Sequence, residues 1–358
     1  MRDEDHMRHA LALGRRTMGA TGQNPAVGCV IVKDAQIVGV GWTQEGGAPH
    51  AEAAALKMAG DLAVGSTVYV SLEPCSHHGR TAPCAHALIA AGVARVVTAV
   101  QDPDPRVSGR GHSALREAGI EVETGLLQRQ AVRDLAGFFS RILKGRPHVT
   151  LKLAMSADGM IAAAPGQRTA ITGEQASART HLMRAQSDAI MVGVRTVITD
   201  DPALTCRLPG LEHRSPVRVI VDGSLRTPIN SKLVASARQR PLIVLIGELA
   251  EGCDQFEARG VQLIRCRKIE ESRIDLAFGL QQLGRLGINR LMVEGGAVLA
   301  RQLLEEKLVD EIKIIRSAKM LGSQGVRANL DLAGFHPTGE ETLGQDVLSS
   351  YERAGESS

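Results

Sequence analysis

His50, Cys75 and Cys84 lie far apart in the chain, and any fold it adopts has to bring them together. They stand in the runs His50-Ala51-Glu52, Glu73-Pro74-Cys75 and Pro83-Cys84. One imidazole and two thiolates suit zinc. Three protein ligands leave the fourth tetrahedral position open to water, which separates a catalytic centre from a closed structural one. Zinc lowers the pKa of such a water to about 7. Glu52 is not itself a ligand and is placed to take the water proton and pass it on. A structural zinc knot is the bland alternative, and it lacks a clear fourth ligand. His77, His78 and His86 crowd the same loop, where surface or supporting roles are expected.

A chain of 358 residues exceeds one typical domain, so two are expected. A net charge of +3 with mixed signs is too mild for a nucleic-acid groove, and 2% aromatics leave few platforms for base stacking. Six cysteines show no disulfide-scaffold spacing; with a metal site they suggest a reducing compartment. Cys29, Cys206, Cys253 and Cys266 read as small buried apolar residues. The charged N-terminus lacks an apolar signal-peptide core, and no apolar run reaches the ~20 residues of a membrane helix. The expectation is a soluble cytoplasmic enzyme.

Along the first half, Asp5 is expected to cap a helix running to Met18. A hairpin pairs Val27–Val32 with Ile37–Trp42. His50–Ala59 and Cys84–Ala91 read as helices, so both ligand groups fall where helices begin and negative charge is stabilised. Strands are expected at Thr67–Leu72, Arg95–Val100 and Ile120–Thr124, with helices at His112–Ala118 and Ala131–Leu143. Lys144-Gly145-Arg146-Pro147 is the best boundary, giving domains 1–146 and 147–358.

The second half repeats strand and helix signals. Strands are expected at His148–Ala154, Ala189–Val192, Val217–Val221, Leu242–Ile246, Val261–Ile264, Asn289–Val293 and Asp310–Arg316. Helices are expected at Gly173–Gln186, Leu276–Leu286 and Ala297–Glu306. Thr172 with Gln175 reads as a capping box. The polar end from Gln345 is expected to fade out past Tyr351. Glu294-Gly295-Gly296 sits where a buried strand turns into a helix, and there missing side chains let a phosphate approach backbone N–H groups. A plain tight turn explains the same fragment equally well. Arg184 and Arg207 are phosphate candidates by their planar fork. Lys152 can instead snorkel to the surface, and Glu294 can simply cap a helix.

Taken together these runs resemble a known family. His-x-Glu followed by Pro-Cys is the signature of zinc deaminases acting on an exocyclic amine. Leu72–Cys84, with eight residues between the cysteines, resembles the loop of the bifunctional riboflavin-biosynthesis deaminase–reductases. So do Asn24-Pro25-Ala26-Val27-Gly28, Leu151–Gly159, Leu182-Met183-Arg184-Ala185, Thr196 with Asp200–Thr205, and Glu294-Gly295-Gly296.

The resemblance implies an α/β chain in two parts. The first is a cytidine-deaminase-like three-layer α/β/α domain, the second an α/β domain similar to dihydrofolate reductase. It implies zinc on His50, Cys75 and Cys84, with Glu52 as proton shuttle. Asn24 and Arg80 would contact substrate. NADPH would lie against Ala154, Thr196, Asp200, Ser224, Gly295 and Gly296. Lys152, Arg168, Arg184, Leu204, Arg207 and Glu294 would face the second substrate.

The partners implied are a small phosphoribosylaminopyrimidine and a further copy of the chain in a homo-oligomer, with no nucleic acid and no membrane. Arg168-Thr169-Ala170-Ile171-Thr172 departs from the family, which often carries serine and tryptophan there, so the contacts at 168 and 170 are open. Asp104 stands where asparagine is commoner; little effect is expected, because both accept hydrogen bonds. Competing expectations are a deaminase with a degenerate reductase half, a nucleic-acid-editing deaminase, and a zinc-stabilised binding module.

Overall fold

A computed structural model of the chain describes residues 2–76, 83–167, 169–270, 273–328 and 330–355. It divides into two compact units, 1–145 and 146–358.

The first unit runs α1 (Asp3–Arg15), β1 (Gly28–Lys33), β2 (Gln36–Trp42), α2 (Ala51–Ala59), β3 (Thr67–Val70) and α3 (Cys84–Ala90). It continues β4 (Arg95–Thr98), α4 (Arg110–Glu117), β5 (Glu121–Thr124), α5 (Gln128–Asp134) and α6 (Ala136–Lys144). Its sheet has the order β2-β1-β3-β4-β5, with β3, β4 and β5 parallel. The hairpin turns on Asp34 and Ala35, both at positive φ, the geometry of a two-residue type I′ turn. Successive strand residues face opposite ways. Gly28 on β1 therefore faces α1, whereas Gly41, paired with Cys29, faces α2.

Packing of α2 is close. A Cβ on Gly41 would lie 2.1 Å from the Ala51 carbonyl oxygen, and one on Gly39 would lie 2.4 Å from that of Ala55. Only glycine lets this helix, which carries Glu52 and is capped by His50, sit directly on the sheet. Branched and aliphatic side chains such as Ile31, Val70, Leu88 and Val97 fill the core around it.

The second unit runs β6 (His148–Met155), β7 (Met160–Ala162), α7 (Glu174–Ala185), β8 (Ala189–Gly193), α8 (Val194–Asp200), β9 (Val217–Val221) and α9 (Lys232–Ala235). Next come β10 (Leu242–Gly247), α10 (Asp254–Glu257), β11 (Gln262–Cys266), β12 (Lys268–Glu270), β13 (Arg273–Ile274) and α11 (Leu276–Arg285). It ends β14 (Arg290–Val293), α12 (Ala297–Glu305), β15 (Glu311–Arg316), β16 (Val326–Arg327), β17 (Phe335–Leu343) and β18 (Asp346–Arg353). The main sheet has the order β11-β10-β9-β8-β14-β6-β15-β18-β17. It is parallel from β11 to β15 and antiparallel at the β18–β17 edge. Its central strands read as unbroken apolar runs because a parallel sheet is covered on both faces, here by two separate cores.

Several boundaries differ from expectation for physical reasons. Helix α1 starts at Asp3 with Asp5 in its first turn, where the Asp5 carboxylate accepts the Arg2 N–H at 3.1 Å, and it ends at Arg15. The helix expected over 131–143 breaks at Leu135. Helix α7 is capped at Gly173, whose N–H donates to Asp346 Oδ2 at 2.7 Å, so a distant carboxylate does the work assigned to Thr172. The C-terminal stretch forms the β17–β18 hairpin, whose strand β18 pairs with β15. Arg146 belongs to the second unit: its guanidinium grips Asp310 through bonds of 2.6 and 2.8 Å.

Two candidate active sites

In the first unit the ligand triad converges. His50 is the cap residue of α2 and Cys84 the first residue of α3. His50 Nδ1 lies 3.7 Å from Cys75 Sγ and 3.4 Å from Cys84 Sγ, and the three ligand atoms all lie within 4.8 Å of one another. Ligands held at about 2.0–2.3 Å around one tetrahedral zinc would be separated by such distances. The Cys84 N–H also donates to Cys75 Sγ at 3.3 Å, as a helix start does for an anion.

Charge makes the same case. Two thiols in contact do not both ionise unaided. The hydrogen bond from Cys84, then that from His50, brings Cys75 down to about 4, while the partner Cys84 is pushed far up. Its hydrogen bond to Cys75 raises His50. Glu52 is 4% exposed, and burial, then the negative Cys75, lifts its carboxyl to about 7. Such a cluster of acids around one imidazole fits a divalent cation.

A pocket opens beside the triad, lined by Asn24, Glu52, Asp102, Asp104, Phe138 and Arg141 among others. Burial, then Asp104 and Glu73, pushes Asp102 up to about 7. Asp104 accepts from the Arg106 N–H at 2.9 Å and from its Nε at 3.0 Å, an acceptor role that asparagine could share in part. Asn24 lies on this wall as expected, whereas Arg80, His77 and His78 lie outside the described residues. His86 is exposed on α3.

Glu73 was not singled out by the sequence, yet it fixes the loop before Cys75. It is 2% exposed, and Oε2 accepts from the N–H groups of Asp102 (3.2 Å) and Gly109 (2.9 Å). Its Oε1 accepts from Gly111 (2.9 Å) and His112 (3.2 Å) at the start of α4. A Cβ on Gly111 would strike the Pro74 carbonyl oxygen at 2.0 Å, so the glycine permits the wrap. The available signal was a run of glycines, Gly109-Arg110-Gly111, opening a helix opposite a buried acid.

In the second unit the expected contacts line one edge. Ala154 lies near the end of β6, Gly295 and Gly296 follow β14, Thr196 and Asp200 lie on α8 after β8, and Ser224 follows β9. Those four parallel strands are neighbours in the order β9-β8-β14-β6, and ligands of open α/β sheets bind outside such carboxyl ends. Nothing lies within 4 Å of a Cβ built on Gly296, which leaves open space before α12. Ser224 is exposed in a turn held by Asp222, whose Oδ2 accepts from the Thr227 N–H and hydroxyl at 2.7 Å each.

Glu294 and Arg184 form a bidentate pair, Nε to Oε1 at 2.6 Å and Nη2 to Oε2 at 2.8 Å, with side chains only 16% and 12% exposed. Burial alone would raise Glu294; the guanidinium overrides it and holds the carboxyl below its usual range. Burial draws the Lys152 amine down against the pull of Glu294. Lys152, Arg184 and Glu294 are thus one electrostatic cluster rather than separate surface charges. Leu204 is buried at a positive φ of 53°, and Arg207 is exposed two residues beyond Thr205. Arg168 lies outside the described residues. The Ala170 carbonyl accepts from Lys319 Nζ at 3.1 Å, and Thr169 Oγ1 accepts from the Ala163 N–H at 2.9 Å. His181, buried on α7 beside this cluster, was also not foreseen.

Comparison with known proteins agrees with both units. The family described as the RibD C-terminal domain matches residues 147–348. The cytidine and deoxycytidylate deaminase zinc-binding region matches residues 1–100. Riboflavin biosynthesis protein RibD of Escherichia coli is 45% identical over 90% of this chain and 89% of its own. The protein of that name from Actinobacillus pleuropneumoniae is 39% identical over 98% and 95%. Among solved structures, Acinetobacter baumannii RibD superposes with a TM-score of 0.88 at 35% identity, covering 98% of this chain and 99% of that one. A Thermotoga maritima diaminohydroxyphosphoribosylaminopyrimidine deaminase/5-amino-6-(5-phosphoribosylamino)uracil reductase gives 0.85 at 32%, with the same coverage. The fold is that expected from the resemblance, a cytidine-deaminase-like domain followed by a RibD reductase domain. Similarity that runs through both units in order, at this identity and coverage, means that the chain belongs to the RibD family.

Proposed function

We propose that the chain catalyses two reactions of riboflavin biosynthesis. The first is hydrolytic removal of the 2-amino group of 2,5-diamino-6-(5-phosphoribosylamino)pyrimidin-4-one. The second is NADPH-dependent reduction of the ribosyl side chain to ribityl. The observation that carries the reading is His50 Nδ1 and two cysteine sulfurs within 4.8 Å, with the buried Glu52 carboxyl beside them.

His50, Cys75 and Cys84 would hold zinc, which when bound makes hydroxide available at neutral pH. Glu52, at about 7, suits both halves of a proton shuttle: it accepts from water and returns the proton to the departing amine. Asn24 and Arg80 contact the substrate. Ala154, Thr196, Asp200, Ser224, Gly295 and Gly296 hold NADPH, which supplies hydride. Lys152, Arg168, Arg184, Leu204, Arg207 and Glu294 face the second substrate, with Arg207 offered to its phosphate. Lys152, with its amine drawn down, fits the role of proton donor. The proximity so provided lowers the barrier by several kcal/mol.

A degenerate reductase half finds no support, because Lys152, Arg184 and Glu294 remain one cluster. All six cysteines are free, in keeping with a cytoplasmic enzyme, and no described helix is long and apolar enough to cross a membrane. A homo-oligomer completes the reading; sedimentation measures it. The main test follows ammonia release and NADPH oxidation separately with the diaminopyrimidine phosphate. Glu52→Gln is expected to lower the first by orders of magnitude and spare reduction of the deaminated substrate. Undiminished ammonia release would overturn the assignment.

A further inference from the structure

Beyond the residues already assigned, α7 carries a histidine whose ring has a defined job. His181 lies one turn before Arg184 and is 7% exposed. Its Nδ1 accepts the backbone N–H of Arg207 at 3.3 Å. An imidazole nitrogen that accepts carries no proton, so the ring is neutral with its proton on Nε2. On the same helix, Arg184 Nη1 donates to the Thr205 carbonyl at 2.9 Å. Two side chains of one helix face thus hold both ends of the Thr205–Arg207 segment.

That segment needs holding. It follows Leu204 at φ 53°, a left-handed conformation that is strained for a leucine and persists only where its surroundings impose it. We propose that His181 is a positioning residue of the reductase, fixing through Nδ1 the backbone that presents Arg207 to a phosphorylated substrate. The proposal rests on the reading of Arg207 as a substrate contact.

The charges facing the ring agree. Burial, then Arg184 on its own helix and Arg207 on the clamped segment, pushes its pKa below the usual imidazole value; Glu294 at the end of β14 opposes them and loses. Protonation would place a donor against the Arg207 N–H and a third cation beside two arginines. The clamp is therefore intact at neutral pH and lost as pH falls through the lowered pKa.

The test uses the full-length chain and measures KM and kcat for reduction of the deaminated substrate, with a retained kcat as the check that the second unit is folded. His181→Ala should raise KM about tenfold, the loss of one hydrogen bond, and leave kcat within about threefold. His181→Asn places an amide oxygen near the Nδ1 position and should keep KM within about threefold of wild type. Between about pH 7.5 and about pH 5.5 the wild-type KM should rise more steeply than that of His181→Asn. The substrate phosphate titrates identically in both, so the difference belongs to the ring. Arg207→Ala should raise KM at least as much. If Arg207→Ala raises KM and neither His181→Ala nor the pH comparison shows an effect, the positioning role is wrong. If Arg207→Ala is also without effect, the reading of Arg207 beneath it fails as well.

Discussion

The two units solve the problem of holding a reaction in opposite ways. In the first, the chemistry is concentrated: three ligand atoms and a buried carboxyl meet at the starts of α2 and α3, and Glu73 nails down the intervening loop with four backbone N–H bonds. In the second, the proposed contacts are strung along the ends of four parallel strands, and Lys152 joins the Arg184–Glu294 pair in one charged cluster. Concentrated chemistry depends on residue type at each position. Distributed binding depends on backbone shape.

The largest expected effect separates the two. Glu52→Gln should lower ammonia release by about 10²–10⁴-fold, the usual contribution of a positioned proton shuttle. Metal content, measured on the same sample, should stay near one zinc per chain, and reduction of the deaminated substrate should not change. Loss of both activities would mean that the units are not chemically independent.

That contrast also explains what the sequence disclosed. His50, Cys75 and Cys84 were legible because only a few side chains bind zinc and their context of helix starts is local. Gly295 and Gly296 were ambiguous because a glycine pair says only that the backbone is bare. Glu73 and His181 stayed hidden for a different reason. Each acts through backbone N–H groups distant in sequence (Gly111 in one case, Arg207 in the other), and no periodicity or spacing encodes that. The β17–β18 hairpin was missed because its exposed face is polar and its partner β15 was an isolated signal. Helix caps failed similarly at Gly173, where Asp346 overrides the local pattern.

In the second unit the next effect is one of stability. Asp310 is fully buried, paired to Arg146, and its Oδ2 also accepts the Val149 N–H at 2.7 Å. Burial alone would raise its pKa, but Arg146 and His148 hold it well below the aspartate range. Asp310→Asn removes the counter-charge of the arginine and should cost about 3–5 kcal/mol at neutral pH, read by calorimetric unfolding. A depressed pKa stabilises above the unfolded value and is lost as pH falls through the folded one. The gap between wild type and Asp310→Asn should therefore hold above about pH 4 and narrow progressively as pH falls below it. A gap that stays constant with pH would remove the ion pair as its cause.

A subtler test asks how far the first centre relies on its supports. Glu73→Gln replaces an acceptor-only group with one whose NH2 faces two of the four N–H groups, and should weaken zinc binding about 10–100-fold, as loss of outer supports of a metal site does. Competition with a chelator measures it. Unchanged affinity would confine Glu73 to capping α4.

The smallest effect concerns the scaffold beneath that centre. Ala35 holds φ at 61° in the hairpin turn, a conformation that costs an alanine and suits glycine. Ala35→Gly creates the Asp-Gly pair favoured in type I′ turns and should stabilise the first unit by up to about 1 kcal/mol. Its unfolding transition should rise by a few degrees while NADPH oxidation keeps its midpoint of thermal inactivation. If both move together, the two sites share one cooperative fold, and the contrast between concentrated and distributed chemistry is one of geometry alone.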